Sequence, residues 1–156
     1  MPEHTIQLES PEPRWIAIVR RTATQNELSR VVPEGCGEVW NFIRATNLAQ
    51  TGLNLALYRN GNIDLDCGVI VTGSFSPSDD VECSTTPTGK TARTEHYGPY
   101  HRLGEAHKAI TEWCKKHNYP LTGLNWEVYD HWTDDPAMLH TTVYYELAAD
   151  ISQTTN

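Results

Sequence analysis

The chain has 156 residues, a formal net charge of −8 and a pI near 5.3. That length fits one domain with a real core. The acidic balance, with basic residues clustered no further than the pairs Arg20-Arg21 and Lys115-Lys116, argues against a protein whose main partner is nucleic acid. No apolar run approaches the ~20 residues of a membrane span, and MPEHTIQ carries no secretory or lipidation signal.

The first elements in chain order are two strand candidates, Thr5–Glu9 and Arg14–Arg20, separated by the connector SPEP. A helix is predicted over Cys36–Leu48, with Val39, Trp40, Phe42 and Ile43 as its apolar members. After it, Leu55–Arg59 alternates like a strand, runs into the hairpin signal Asn60-Gly61 and returns as Ile63–Val71. A turn-rich linker, GSFSPSDD at residues 73–80, leads to strand candidates Val81–Ser84 and Lys90–His96, with TTPTG between them. The second helix, Tyr100–His117, is the cleaner one. Tyr100, Leu103, Ala106, His107, Ile110, Trp113 and Cys114 follow an i, i+3, i+4, i+7 rhythm. Strands Trp126–His131 and Thr141–Leu147 close the pattern, and ISQTTN reads as a frayed tail.

Both halves therefore spell strand, strand, helix, strand, strand. A shared phrase ties them together: TGLNLALYRN at 51–60 and TGLNWEVYDH at 122–131 agree at five of ten positions, 71 residues apart. In each, Gly52 or Gly123 reads as the left-handed stop of the preceding helix. A unit with one helix on four strands covers only one face, so two units should pack together. The expected fold is α+β: one domain over 1–156, built as a duplicated strand-strand-helix-strand-strand unit with pseudo-two-fold symmetry. Repeat 1 spans about 4–72 and repeat 2 about 81–148.

The halves differ at one telling place. Alternation puts Glu127 and Tyr129 on one face, equivalent to Ala56 and Tyr58 in the first copy. Most strand glutamates sit on a solvated face. Here the neighbours on that face are tyrosines and the sister residue is small, which argues for an enclosed carboxylate with Ala56 leaving room opposite. Five Trp and seven Tyr against two Phe suit pocket walls, although Trp113 and Trp15 read as core. A carboxylate among electron-rich rings is a receptor for an organic cation, with cation–π attraction of about 0.5–2 kcal/mol per ring.

HYGPY at 96–100, a helix ending in Trp113, GLNWEVY at 123–129 and VYYEL at 143–147 resemble the C-terminal repeat of GyrI-like small-molecule-binding domains. These are also known as the effector-binding domains of AraC-type and MerR-type transcription regulators. The resemblance covers nearly the whole chain and is sharper in the second half. It implies two repeats with a cleft for amphipathic or cationic ligands, Glu127 pointing into that cleft, and aromatic walls for which Trp40, Tyr58, Tyr97, Tyr129 and Tyr145 are the candidates. It also implies a competing role. Some relatives hydrolyse electrophilic, cyclopropane-bearing natural products with the pocket glutamate, which would make Glu127 catalytic.

With no helix-turn-helix before Thr5, the expected molecule is a standalone, cytoplasmic binder of lipophilic, cationic small molecules rather than a regulator that touches DNA directly. A protein partner, as in relatives described as gyrase inhibitors, has no distinguishing segment. No cofactor is expected: phosphate loops, GxSxG elbows and dinucleotide fingerprints are missing from the sequence. No metal is expected either. Cys114 and His117 share a helical spacing, but dense ligand pairs are lacking, His107 belongs to the core-facing stripe of its helix, and His101 to that helix's first turn. The four cysteines form no CxxC and read as reduced thiols.

Overall fold

A computed structural model describes residues 4–60, 64–78 and 80–148. The elements, in chain order, are β1 (Gln7–Glu9), β2 (Trp15–Thr22), α1 (Leu28–Thr46), β3 (Gln50–Asn60), β4 (Asp64–Val71), β5 (Glu82–Thr85), β6 (Thr91–Tyr97), α2 (Leu103–Lys116), β7 (Leu121–Tyr129) and β8 (His140–Leu147). All eight strands join one antiparallel sheet in the order β1-β6-β8-β7-β3-β4-β2-β5. This order maps onto itself when each element of the first half is exchanged for its counterpart in the second. The halves also trade edges: β1 pairs with β6, and β5 pairs with β2. Each edge strand therefore clasps the opposite half, a connection that alternation in the sequence could not reveal.

α1 lies on β2, β3 and β4, and α2 lies on β6 and β8. Their sheet-facing residues keep the spacing of 71. Gly35, Val39 and Ile43 of α1 match Ala106, Ile110 and Cys114 of α2, all buried. Gly35 is needed for closeness, since a Cβ there would sit 2.7 Å from Cys67 Cβ. Each helix thus covers its own core. Val39 and Ile43 of α1 pack with Val19 and Val69 of the sheet, and Ile110 of α2 with Ala92, Val143 and Leu147. A third cluster, with Ile16, Ile18, Leu55, Ile70 and Trp126, fills the other face of the sheet. The central pair β3–β7 is left as a strip between the two helices.

Three local readings are corrected. α1 begins eight residues before the expected Cys36 and carries Pro33 inside it. The run Pro33-Glu34-Gly35 reads as a breaker, yet burial of Val31, Gly35 and Cys36 outweighs the one lost backbone hydrogen bond. The helix stops are asparagines, not the TGLN glycines. Asn47 (φ 57°) and Asn118 (φ 61°) take the left-handed conformation, and the bonds Leu48 N–H to Ile43 O and Tyr119 N–H to Cys114 O close both ends alike. TGLN itself lies within β3 and β7, where Gly52 (φ 86°) and Gly123 (φ 99°) shape matching bulges. Each bulge is pinned by its threonine. Thr51 Oγ1 accepts from Leu53 N–H and donates to Ile70 O, while Thr122 Oγ1 accepts from Leu124 N–H and donates to Glu146. The repeated phrase is therefore a bulge motif. The strands otherwise fall within about two residues of expectation, save that β3 and β7 each begin some five residues earlier. Gly61 and the tail at 151–156 lie outside the described residues.

Among the described residues no helix is long and apolar enough to cross a membrane. At Gly68 a Cβ would lie 1.8 Å from the Ala17 carbonyl oxygen of the paired strand, whereas at Gly123 it would meet nothing within 4 Å. Gly68→Ala is therefore expected to cost about 3 kcal/mol or more, and Gly123→Ala only the backbone strain of about 1–2 kcal/mol. Urea denaturation of the two variants measures the difference.

Candidate functional site

The strip between the helices carries Asn54, Ala56 and Tyr58 from β3, facing Tyr129, Glu127 and Asn125 of β7 in register. Ala56 and Glu127 are direct cross-strand partners. The spacing that makes them equivalent in the two halves also places them side by side at the centre of the sheet. A second large side chain at position 56 would compete for the same space; a second carboxylate there would also repel the first.

Glu127 is buried, with 5% of its surface exposed. A bare carboxylate at such depth costs several kcal/mol, so its oxygens must be satisfied. Three elements provide donors. The Tyr129 hydroxyl donates to Oε1 at 2.5 Å, and the Tyr58 hydroxyl donates to the same oxygen at 3.4 Å. Oε2 is taken by His107 Nε2, 2.5 Å away, from α2. The other ring nitrogen, His107 Nδ1, lies 2.6 Å from the Tyr145 hydroxyl of β8. With the proton on Nε2, every partner is matched: Tyr145 donates to Nδ1, and Nε2–H donates to Glu127.

Burial and then the Glu127 charge push the Tyr145 phenol up to about 12, and raise Tyr58 and Tyr129 as well. The three phenols therefore remain O–H donors at neutral pH. Burial likewise pushes the Cys36 thiol up to about 12. Cys36 stands at the α1 position matching His107, and its Sγ donates to backbone oxygens of Leu55 and Gly68. It is a packed, unreactive thiol.

Of the five aromatic candidates, Tyr58, Tyr129 and Tyr145 gather around Glu127. Trp40 lies beside them on α1, its indole N–H donating to Asn54 Oδ1 at 2.7 Å, with Asn54 directly opposite Tyr129. Tyr97 is the exception and is corrected here. It is exposed (63%) and stacks on His140 at 4.5 Å, because alternation along β6 turns it to the face opposite His96. Tyr100, from the same HYGPY segment, takes that place instead: its ring meets Tyr129 edge-on at 5.7 Å and is 40% exposed, at the rim of the cluster. His107 is the residue the sequence reading missed. Its stripe position was legible, but that the stripe faces Glu127 required the pairing of β7 with β8 beneath α2.

The remaining polar features do not add to this site. Two depressions of about 280 and 430 Å³ both border Arg20 and Arg21, the second also Arg59 and Asp66, and share no lining residue with the Glu127 cluster. Their arginines are already paired, Arg59 with Asp66, Arg21 with Glu38 and Arg20 with Glu82. Among the described residues no three His, Cys, Asp or Glu side chains form a metal-sized cluster.

The description of the GyrI-like small molecule binding domain matches residues 5–148. This chain belongs to that family. A search of curated proteins found no match. Among solved structures, the EcmrR C-terminal domain superposes with a TM-score of 0.78 at 18% identity, covering 94% of this chain and 99% of that one. A hydrolase from Listeria innocua gives 0.61 at 10% identity, covering 95% and 94%. SAV2435 bound to tetraphenylphosphonium gives 0.60 at 12%, covering 95% of both chains. At these identities the likeness establishes that the GyrI-like domain shares its fold with them.

Two measurements check the site. Tyr129→Phe removes a donor from a buried carboxylate and is expected to cost about 1–3 kcal/mol in chemical denaturation, while Tyr97→Phe stays within about 0.5 kcal/mol. The raised phenols also predict alkaline instability. Their stabilising effect is complete below the unfolded tyrosine pKa of about 10 and is lost as pH rises toward the folded values. Phenolate absorbance should therefore show Tyr58, Tyr129 and Tyr145 ionising only together with unfolding.

Proposed function

We propose that this GyrI-like domain binds lipophilic organic cations on the strip between its helices. The observation that carries the reading is Glu127, a buried carboxylate hydrogen-bonded by Tyr58, Tyr129 and His107 and flanked by aromatic rings. The three donors satisfy its lone pairs but leave its charge without a permanent opposing one, and an organic cation supplies that charge. Trp40, Tyr100 and the tyrosines offer apolar area and π faces around it. A related fold, that of SAV2435, is bound to tetraphenylphosphonium, which makes this the natural probe. Wild-type protein is expected to bind it in the micromolar range by calorimetry. Glu127→Gln should bind at least about tenfold more weakly, a loss of about 1.4 kcal/mol, while its circular dichroism is unchanged. Equal affinity of the two proteins would exclude the carboxylate as the receptor.

A second reading rests on the series Tyr145–His107–Glu127, hydrogen-bonded end to end. A carboxylate that orients a histidine toward a hydroxyl is a general-base arrangement. With Glu127 fixing the proton on Nε2, Nδ1 of His107 is the basic atom, and Tyr145 would relay to it the proton of a water attacking an electrophilic substrate. Another structure sharing the fold is that of a hydrolase. Consumption of a cyclopropane-bearing electrophile that stops in Tyr145→Phe, with binding retained, distinguishes this reading from simple binding.

A further inference from the structure

We propose that His107 is the internal cation that a ligand of this site replaces, so that an organic cation binds in exchange for the proton on His107. The inference rests on the cation-binding reading of Glu127 and adds to it a coupling to pH.

The argument is one of charge balance in a buried place. Around His107 stand Glu127 and Tyr129 from β7, Tyr58 from β3, Tyr145 from β8 and, on its own helix, Cys114. On the α1 side the matching thiol is Cys36. Burial raises the three phenols and both thiols, so all five keep their protons at neutral pH and carry no charge. The neighbouring charges on α2, Lys108 and Glu112, lie on the outer surface and pair with each other. Only Glu127 and His107 can set the charge of the cluster. With His107 protonated, Glu127 is neutralised internally at 2.5 Å. A fixed cation arriving then leaves an uncompensated positive charge out of water, which is costly. With His107 neutral, the same cation completes the pair. The two positive charges exclude each other, and linkage requires that binding expel a proton. The His107 side chain is 22% exposed, so the proton has a route to solvent.

Protonation opposes the ligand, so affinity falls on acidification. The test uses tetraphenylphosphonium, whose charge does not titrate. Calorimetry of the full chain between pH 8 and 5.5, in buffers of different ionisation heat, should show affinity falling toward acid with a limiting slope of about tenfold per pH unit. About one proton should be released per ligand at the acid end. The long-range nitrogen–proton NMR signals of His107, identified among seven histidines by their loss in His107→Gln, should lose imidazolium character on adding the ligand at the acid end of the series. His107→Gln should bind with no slope across the same pH series. If that variant does not fold, the wild-type proton count decides. Binding that needs Glu127 but releases no proton and leaves the His107 signals unchanged would overturn the exchange while sparing the cation reading. No binding to wild type at pH 8 would overturn both.

Discussion

The arrangement depends on keeping one carboxylate in the middle of an eight-stranded sheet. Glu127 sits on a central strand with an apolar cross-strand neighbour, Ala56, where water cannot solvate it. A buried charge survives there only if hydrogen-bond donors converge on it. Those donors come from β3, β7 and α2, with β8 holding the histidine in turn. The polar cluster therefore ties the two halves together across the β3–β7 seam. Hydrophobic packing alone, confined beneath each helix, would leave that seam to backbone hydrogen bonds and to the cluster on the opposite face.

A symmetric frame makes such a site possible and also requires that symmetry be broken within it. The spacing of 71 brings positions 56 and 127 face to face. Carboxylates at both would stand within the separation of a cross-strand pair, where like charges are destabilising. Alanine at 56 removes the conflict. The same division appears on the helices. His107 of α2 reaches Glu127, whereas the corresponding Cys36 of α1 turns its thiol to backbone carbonyls. Charge is concentrated on one half and small or neutral groups on the other, while strand order, bulges and asparagine helix stops remain alike.

Much of this was legible in the sequence for a definite reason. Alternation in WEVY and LALY assigns Glu127, Tyr129, Ala56 and Tyr58 to one face without knowledge of which strands pair, because a period of two survives any register. The helical stripe of α2 was equally plain. What alternation cannot supply is adjacency. That β7 pairs with β3 on one side and β8 on the other, bringing Tyr145 and His107 to Glu127, is a property of topology. The exchange of β1 and β5 between the halves is another. Tyr97 was misplaced because HYGPY lies where strand gives way to helix, and a single step there changes the face. The TGLN glycines misled for a related reason: a positive φ closes a helix or kinks a strand with the same residue, and only the partner strand tells which.

The state of the cluster decides how it can be used. Glu127 accepts from two phenols that hold their protons and from the Nε2–H of one imidazole. All three remain donors, and with its second ring nitrogen the imidazole is the one whose charge can change. In the proposed reading the two phenols keep the carboxylate oriented, so its charge is pre-organised and little reordering is required when a cation arrives. His107 then supplies the variable charge. In a rigid core this combination would be a liability, since a satisfied apolar pair of the same volume packs at no electrostatic cost. In the proposed reading, its place between the two helices, with the half-exposed Tyr100 edge-on to Tyr129, is where a replaceable charge gains a use.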